Sequence, residues 1–140
     1  MGNHNKRVVG VLSDLMFTVK IQEAAKRAGL EAVFVKSKQE ALEQAKTKPA
    51  VIILDLNNTA ADALEVIGEL KGAEETRKIR LLGFVSHVQA DLKQAAQQRG
   101  CDTVIARSAF SQNLPQILRR YAEGVTTSDS KPAGPLPPAP

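Results

Sequence analysis

The run Ala-Val-Ile-Ile-Leu-Asp at residues 50–55 constrains the fold of this chain more than any other stretch. Its five apolar residues are unbroken and mostly β-branched, which is typical of a strand buried on both faces in a parallel sheet covered by helices. The run ends on a carboxylate, Asp55, at the edge of the sheet where ligands bind in open α/β folds. Asp55 is therefore a candidate functional residue, although aspartate is also a common turn former.

Four further apolar segments of strand length alternate with stretches whose apolar residues recur at helical spacing. The predicted strands are residues 8–12, 32–35, 50–55, 79–85 and 103–106. Ser37 and Glu40 form a capping box that opens the second helix, and Pro115 is expected in the first turn of the last one. Short right-handed crossovers then predict an α/β fold, a doubly wound (βα)5 sandwich with parallel strand order 2-1-3-4-5.

The domain is expected to occupy residues 1–124, because the alternation of strand and helix patterns stops there. Residues 125–140 are polar and then rich in proline, and they hold five of the seven prolines of the 140-residue chain. Such a segment cannot bury enough apolar surface to fold, so a disordered C-terminal tail is predicted.

Composition excludes several classes of protein. The net charge is +4 and the pI is about 9.4, but lysine and arginine alternate with glutamate as on a solvated surface, and no nucleic-acid-binding signature follows. No apolar run is long enough to span a membrane, and the N-terminus leads straight into a strand. The single cysteine, Cys101, excludes an internal disulfide. A cytoplasmic protein that binds neither nucleic acid nor membrane is expected.

Polar residues follow the strands at the carboxyl edge of the predicted sheet: Ser13 and Asp14, Asp55, Ser86 and His87, and Arg107. In the order 2-1-3-4-5, the first and third strands are neighbours, so Asp14 and Asp55 are expected to lie close together. Adjacent carboxylates repel unless a cation lies between them, and oxygen ligands suit Mg²⁺. A carboxylate nucleophile, a metal ion, a hydroxyl and a fixed positive charge can together accept a phosphoryl group.

With these residues the chain resembles the response-regulator receiver domain of two-component signalling, over roughly residues 6–124. The resemblance implies a flavodoxin-like fold, with Asp55 as the phosphoacceptor of a phosphorelay. It also implies a Mg²⁺ site made by Asp14, Asp55 and the backbone carbonyl of Asn57. Ser86 takes the position of the hydroxyl that reads the phosphoryl group, and Arg107 takes the position of the conserved basic residue.

The chain also departs from the receiver pattern at several positions. Ser13 replaces the first acid of the usual pair, Arg107 replaces lysine, and Val104 stands where the family has an aromatic switch residue. The proline and glycine that commonly follow the phosphoacceptor are missing from residues 59–63, and Ser108 replaces a proline. These departures predict weak Mg²⁺ binding at Asp14 and Asp55, and a switch that relays phosphorylation poorly.

The expected function is that of a stand-alone, non-enzymatic signalling domain that acts through protein–protein contact. Its partner would be a histidine kinase or a downstream target, and a homodimer through the face made by the fourth helix, fifth strand and last helix is a further expectation. Two versions stay open: phosphorylation at Asp55, or a pseudo-receiver that works as an adaptor or dimerisation module without it. A small Ser-His-Asp hydrolase using Ser13 or Ser86, His87 and Asp55 is the third alternative, and it lacks a G-x-S-x-G elbow.

Overall fold

Strands and helices alternate five times along the part of the chain that the structure describes, a computed structural model covering residues 6–57, 62–86 and 90–123. The elements are β1 (Arg7–Val11), α1 (Leu15–Arg27), β2 (Glu31–Val35), α2 (Lys38–Ala45), β3 (Val51–Asp55), α3 (Ala63–Gly72), β4 (Arg80–Val85), α4 (Ala90–Gln98), β5 (Thr103–Ala106) and α5 (Arg107–Ala122). All strand pairs are parallel and the sheet order is β2-β1-β3-β4-β5. The predicted fold and strand order are confirmed.

Helices cover both faces of the sheet, and each face has its own apolar core. One core joins alternate strand residues to α1 and α5, and the other joins the remaining strand residues to α2, α3 and α4. In β3, Val51 and Ile53 belong to the first core, whereas Ile52 and Leu54 belong to the second. Every residue of β3 is buried, as its unbroken apolar sequence predicts for a central strand.

The alternation of side chains along β3 also places Asp55 on the side of α1 and α5. Successive side chains of a strand point to opposite faces, so Asp55 follows Val51 and Ile53. Its register partner in β4 is Phe84, which packs in the core shared with α1 and α5. The carboxyl end of β3 therefore presents its carboxylate where α1 and α5 both begin.

Local capping fixes the ends of the first two helices. Asp14 is the N-cap of α1, and Ser37 is the N-cap of α2, where its hydroxyl oxygen accepts a hydrogen bond from the backbone N–H of Glu40 at 3.1 Å. Gly29 follows α1 with a φ of 80°, a left-handed conformation that glycine adopts without a steric penalty. The predicted cap at Ser37 is confirmed, but the carboxylate of Glu40 accepts from the backbone N–H of Lys36 instead of that of Ser37.

The position expected for Pro115 is wrong. The last helix begins directly after β5 at Arg107, so Pro115 lies in its third turn instead of its first. The apolar stripe that predicted this helix starts at Leu114, but the structure adds Phe110 one turn earlier to the buried side. Because a proline has no N–H to donate, Pro115 removes one backbone hydrogen bond from the interior of α5.

The predicted domain boundary at residue 124 lies outside the described residues, and so does the tail expected at residues 125–140. None of the helices in the described ranges combines the length and the apolar character that crossing a membrane requires.

Removal of the segment after Gly124 is expected to leave the fold intact. The last buried residues of the core shared with α1 and α5 lie within α5, namely Phe110, Leu114 and Leu118. Near the end of this helix, Lys6 Nζ donates a hydrogen bond to the carbonyl of Ala122 at 3.2 Å. A truncated chain should therefore unfold at the same midpoint temperature as the full chain in a circular-dichroism melt. A midpoint lowered by several degrees would show instead that the segment packs on the domain.

Candidate functional site at the carboxyl edge of the sheet

Asp55 is a buried carboxylate at the end of the central strand. The residue is only 8% exposed, and Oδ1 accepts a hydrogen bond from the backbone N–H of Asn57 at 3.0 Å. Burial raises the pKa of Asp55, and the negative charge of Asp14 acts in the same direction. The N–H of Asn57 and the positive charge of Arg107 partly offset that rise in pKa. The structure thus brings Asp14, Asp55 and Arg107 together, as the strand order predicts.

Asp14 uses both of its carboxylate oxygens within the fold. Oδ1 accepts hydrogen bonds from the backbone N–H groups of Met16 at 2.9 Å and Phe17 at 3.3 Å, which are orphan donors in the first turn of α1. Oδ2 forms an ion pair with the guanidinium of Arg107. The expected metal ligand is therefore a helix cap and the partner of an arginine.

The guanidinium of Arg107 packs against aromatic rings. Its guanidinium carbon lies 4.6 Å from the centre of the Phe17 ring and 6.0 Å from that of Phe84, within the range of cation–π attraction. Phe84 is stacked on Phe110, with ring centres 5.0 Å apart and planes 7° apart, and Phe17 contacts both rings. A planar guanidinium can stack on these rings and pair with Asp14 at the same time.

Asn57 ties the loop after β3 to the end of β4. Its side-chain oxygen Oδ1 accepts a hydrogen bond from the backbone N–H of Ser86 at 2.9 Å. Asp55, Asn57 and Ser86 are therefore joined through two hydrogen bonds, in which Asp55 accepts from the backbone of Asn57 and Asn57 accepts from the backbone of Ser86. Ser86 is half-buried at the same edge as Asp55.

Two of the degenerate positions differ in exposure. Ser13 is exposed and precedes the cap of α1. Val104 is 8% exposed and packs in the core shared with α2, α3 and α4. Its register partner in β4 is Gly83. A β-branched side chain buried in this way has restricted rotamers and no ring to move.

The aromatic support beneath Arg107 is the part of the site that sequence reasoning missed. Phe17, Phe84 and Phe110 lie at positions that their spacing predicts only as core, and no local pattern reveals that their rings meet under a charge.

The candidate His87 and residues 59–61, where the family's proline and glycine are missing, lie outside the described residues. Cys101 is buried and burial raises the pKa of its thiol to about 11, so it is not an activated nucleophile.

The fold is that of response-regulator receiver domains. No protein-family model matches this chain, and comparison with curated proteins finds no match either. Comparison with solved structures, by contrast, finds many receiver domains with the same architecture.

Three of these structures illustrate the similarity. The phosphorylated cyanobacterial phytochrome response regulator RcpA has a TM-score of 0.74 at 23% identity, over 88% of this chain and 97% of that one. The chemotaxis response regulator CheY4 of Vibrio cholerae has a TM-score of 0.71 at 19% identity, over 82% and 97%. The receiver domain of a sensor histidine kinase from Pseudomonas aeruginosa, solved with magnesium in its active site cleft, has a TM-score of 0.72 at 16% identity, over 85% and 98%.

The residues at this edge do not fit a divalent metal ion in the observed arrangement. Asp14 already caps α1 and pairs with Arg107, and Ser13 supplies no carboxylate. Among the described residues, no three His, Cys, Asp or Glu side chains come together as a metal-binding group. A positive charge beside the two carboxylates also repels a second cation.

Replacing Asp55 by asparagine is expected to stabilise the domain at neutral pH. Because burial raises the folded-state pKa of Asp55, the folded protein binds its proton more tightly than the unfolded chain. The contribution of Asp55 to stability is therefore greatest below its unfolded pKa and is lost as the pH rises through the raised folded pKa. Asp55→Asn keeps a similar shape without the buried charge, so its advantage over the wild type should shrink as the pH falls.

Urea unfolding followed by circular dichroism between about pH 4 and pH 8 measures this difference. Asp91→Asn, at an exposed position of α4, is the matched control and should change little. Parallel pH profiles for the wild type and Asp55→Asn would contradict the expectation.

Proposed function

We propose that this chain is a receiver-fold signalling domain that acts by binding a partner protein, and that its binding surface works without phosphorylation of Asp55. The observation that carries the proposal is the ion pair between Arg107 and Asp14. A response regulator switches because a phosphoryl group and a metal ion favour one of two conformations. In this chain Asp14, the carboxylate expected to hold the metal, is paired with Arg107 instead.

The positions that would relay a signal support the same proposal. A ligand shifts a conformational equilibrium only by its differential affinity for two states. Val104 is buried in the core and has no ring to move. Arg107 lies between Asp14 and the aromatic cluster, which consists of Phe17, Phe84 and Phe110. The chain therefore lacks the residues that would move the face of α4, β5 and α5 into a second conformation. Constitutive partner binding is the simplest function of this site.

Phosphorelay through Asp55 is the second candidate. It is favoured by the position of Asp55 at the carboxyl end of β3 and by its connection through Asn57 to Ser86 at the end of β4. In this version Asp55 would accept the phosphoryl group and Ser86 would contact it. The pair between Arg107 and Asp14 would then have to open before a metal ion could bind.

Incubation with acetyl phosphate and Mg²⁺, followed by intact-mass measurement, separates the two candidates. The proposed function predicts that neither the wild type nor Asp55→Asn gains the mass of a phosphoryl group. If the wild type gains the mass of one phosphoryl group and Asp55→Asn does not, the phosphorelay candidate replaces the proposal.

The layer made by α1 and α5 is the most basic part of the described surface. Its exposed charges are five basic residues and one acidic residue, namely Lys20, Lys26, Arg27, Arg119 and Arg120 against Glu23. An acidic protein surface complements such a layer and would be drawn to it at low salt. Arg119 and Arg120 lie on α5. This helix also forms part of the face of α4, β5 and α5 that is proposed for a homodimer.

Charge reversal at Arg119 and Arg120 is expected to weaken self-association about tenfold, which corresponds to about 1.4 kcal/mol. We expect this because the two exposed positive charges of α5 would contact acidic side chains of the second copy, and glutamate at both positions would repel them. Sedimentation velocity over a concentration series measures the effect on Arg119→Glu/Arg120→Glu. Lys36→Glu/Lys46→Glu, at exposed positions flanking α2, is the control. Equal association of the two variants, or a wild type that stays monomeric throughout, would contradict a homodimer at this face.

A further inference from the structure

The carboxyl edge of the sheet contains two carboxylates whose charges affect each other. Asp55 is buried at the end of β3, and Asp14 lies close enough for its negative charge to disfavour the ionised form of Asp55. A positive charge nearby lowers the cost of ionising both carboxylates together. In this chain that charge comes from Arg107, which pairs with Asp14 and acts electrostatically on Asp55.

The backbone and the rings hold the guanidinium in this position. Arg107 is the first residue of α5 and directly follows β5, so no loop intervenes between the sheet and its side chain. Its guanidinium lies over Phe17 at 4.6 Å while an N–H group reaches Oδ2 of Asp14. A lysine ammonium could approach Asp14, but it has no planar face to stack on the ring.

Both carboxylate oxygens of Asp14, the expected metal ligand of α1, are bound to protein donors. Oδ1 of Asp14 accepts from two backbone N–H groups of α1, and Oδ2 accepts from Arg107. Ser13 brings a neutral hydroxyl to the position that precedes Asp14. A divalent ion would therefore have to displace a fixed guanidinium to reach its ligand and would gain one carboxylate fewer in return.

We propose that the guanidinium of Arg107 is the resident cation of this site, in place of a divalent metal ion, and that Arg107 is the residue that excludes Mg²⁺. The inference rests on the proposed function, because a domain that works unphosphorylated does not need the metal. The absence of an acid at position 13 contributes less to the exclusion of Mg²⁺ than Arg107 does. Placing an aspartate there while Arg107 is present will therefore not create a metal site.

Titration with MnCl₂, followed by the paramagnetic broadening of backbone amide signals near Asp55, tests this inference with a series of variants. The wild type and Ser13→Asp should show no saturable broadening at millimolar Mn²⁺. Ser13→Asp/Arg107→Lys should bind Mn²⁺ at least about tenfold more tightly than the wild type. Mg²⁺ should compete, and adding Asp14→Asn to the double variant should abolish the binding.

Two further controls keep the test decisive. Amide spectra without metal show whether each variant is folded, and Ser13→Asp/Arg107→Gln replaces the first double variant if the lysine form unfolds. Saturable Mn²⁺ binding by the wild type that is lost in Asp14→Asn would overturn the inference. A folded double variant that binds no better than Ser13→Asp would also overturn it.

The outcomes also separate this inference from the proposed function. A wild type that binds Mg²⁺ and yet gains no phosphoryl mass would refute the resident cation while leaving the proposed function in place. A wild type that gains phosphoryl mass without saturable metal binding would refute the proposed function and leave the resident cation in place.

Discussion

Phe84→Ala is expected to cost about 3–5 kcal/mol of unfolding free energy, the usual cost of deleting a buried ring. Phe84 has no exposed surface, stacks on Phe110 and contacts Phe17, so its removal leaves a cavity in the core shared with α1 and α5. A domain of ordinary stability has about 5–15 kcal/mol in total, so the variant should be close to unfolding at moderate temperature.

Urea unfolding followed by circular dichroism measures this loss, and Phe34→Ala is the matched control. Phe34 is half-buried on the edge strand β2, where neighbouring side chains and solvent can fill part of the space. It should therefore cost clearly less than Phe84→Ala. Equal costs for the two variants would contradict a central role for the aromatic cluster. Phe84→Leu should retain most of the stability and lose the second ring that faces Arg107.

Lys71→Met is expected to destabilise the domain by about 1–3 kcal/mol, because it removes three hydrogen bonds donated by a charged group, one of them to the part-buried carbonyl of Ile79. Lys71 Nζ donates to the carbonyls of Arg77 at 2.9 Å and Ile79 at 3.0 Å, and to Oδ2 of Asp102 at 2.9 Å. The same oxygen of Asp102 accepts the backbone N–H of Leu81 at 2.8 Å. This network joins α3 to the starts of β4 and β5, at the end of the sheet opposite the candidate site.

Lys93→Met serves as the control, because Lys93 is exposed on α4 and should change stability by less than about 0.5 kcal/mol. Chemical denaturation of the two variants provides the comparison. If both variants unfold at the same urea concentration, the network contributes nothing to stability. Because the network is remote from Asp55, Lys71→Met should leave the response to Mn²⁺ and phosphodonors unchanged.

The sequence predicts the architecture well because each strand of a parallel sheet has a local signature. The run at residues 50–55 is apolar without interruption because both faces of β3 are covered, and each helix has an apolar stripe on the side that meets the sheet. The strand order then brings Asp14 and Asp55 to one edge without any knowledge of the side chains. These features follow from neighbours in sequence and from the handedness of crossovers.

The state of the site could not be predicted in the same way. Asp14 and Arg107 are 93 residues apart, and only the assembled fold shows that the arginine pairs with the acid and rests on Phe17. The link between Lys71 and Asp102 has no local signature either. The position of Pro115 was wrong because the strong apolar stripe begins at Leu114, whereas α5 begins seven residues earlier at Arg107. Local patterns indicate where a helix lies more reliably than where it begins.

The most direct test of the account is a comparison of amide chemical shifts with and without beryllofluoride and Mg²⁺, a stable mimic of the phosphorylated state. With Arg107 held between Asp14 and the aromatic cluster, we expect the spectra of the wild type to coincide, as should those of the control Asp55→Asn. Large shifts at Ser86, Val104 and along α5 in the wild type alone would contradict the account and show that Asp55 operates a working switch.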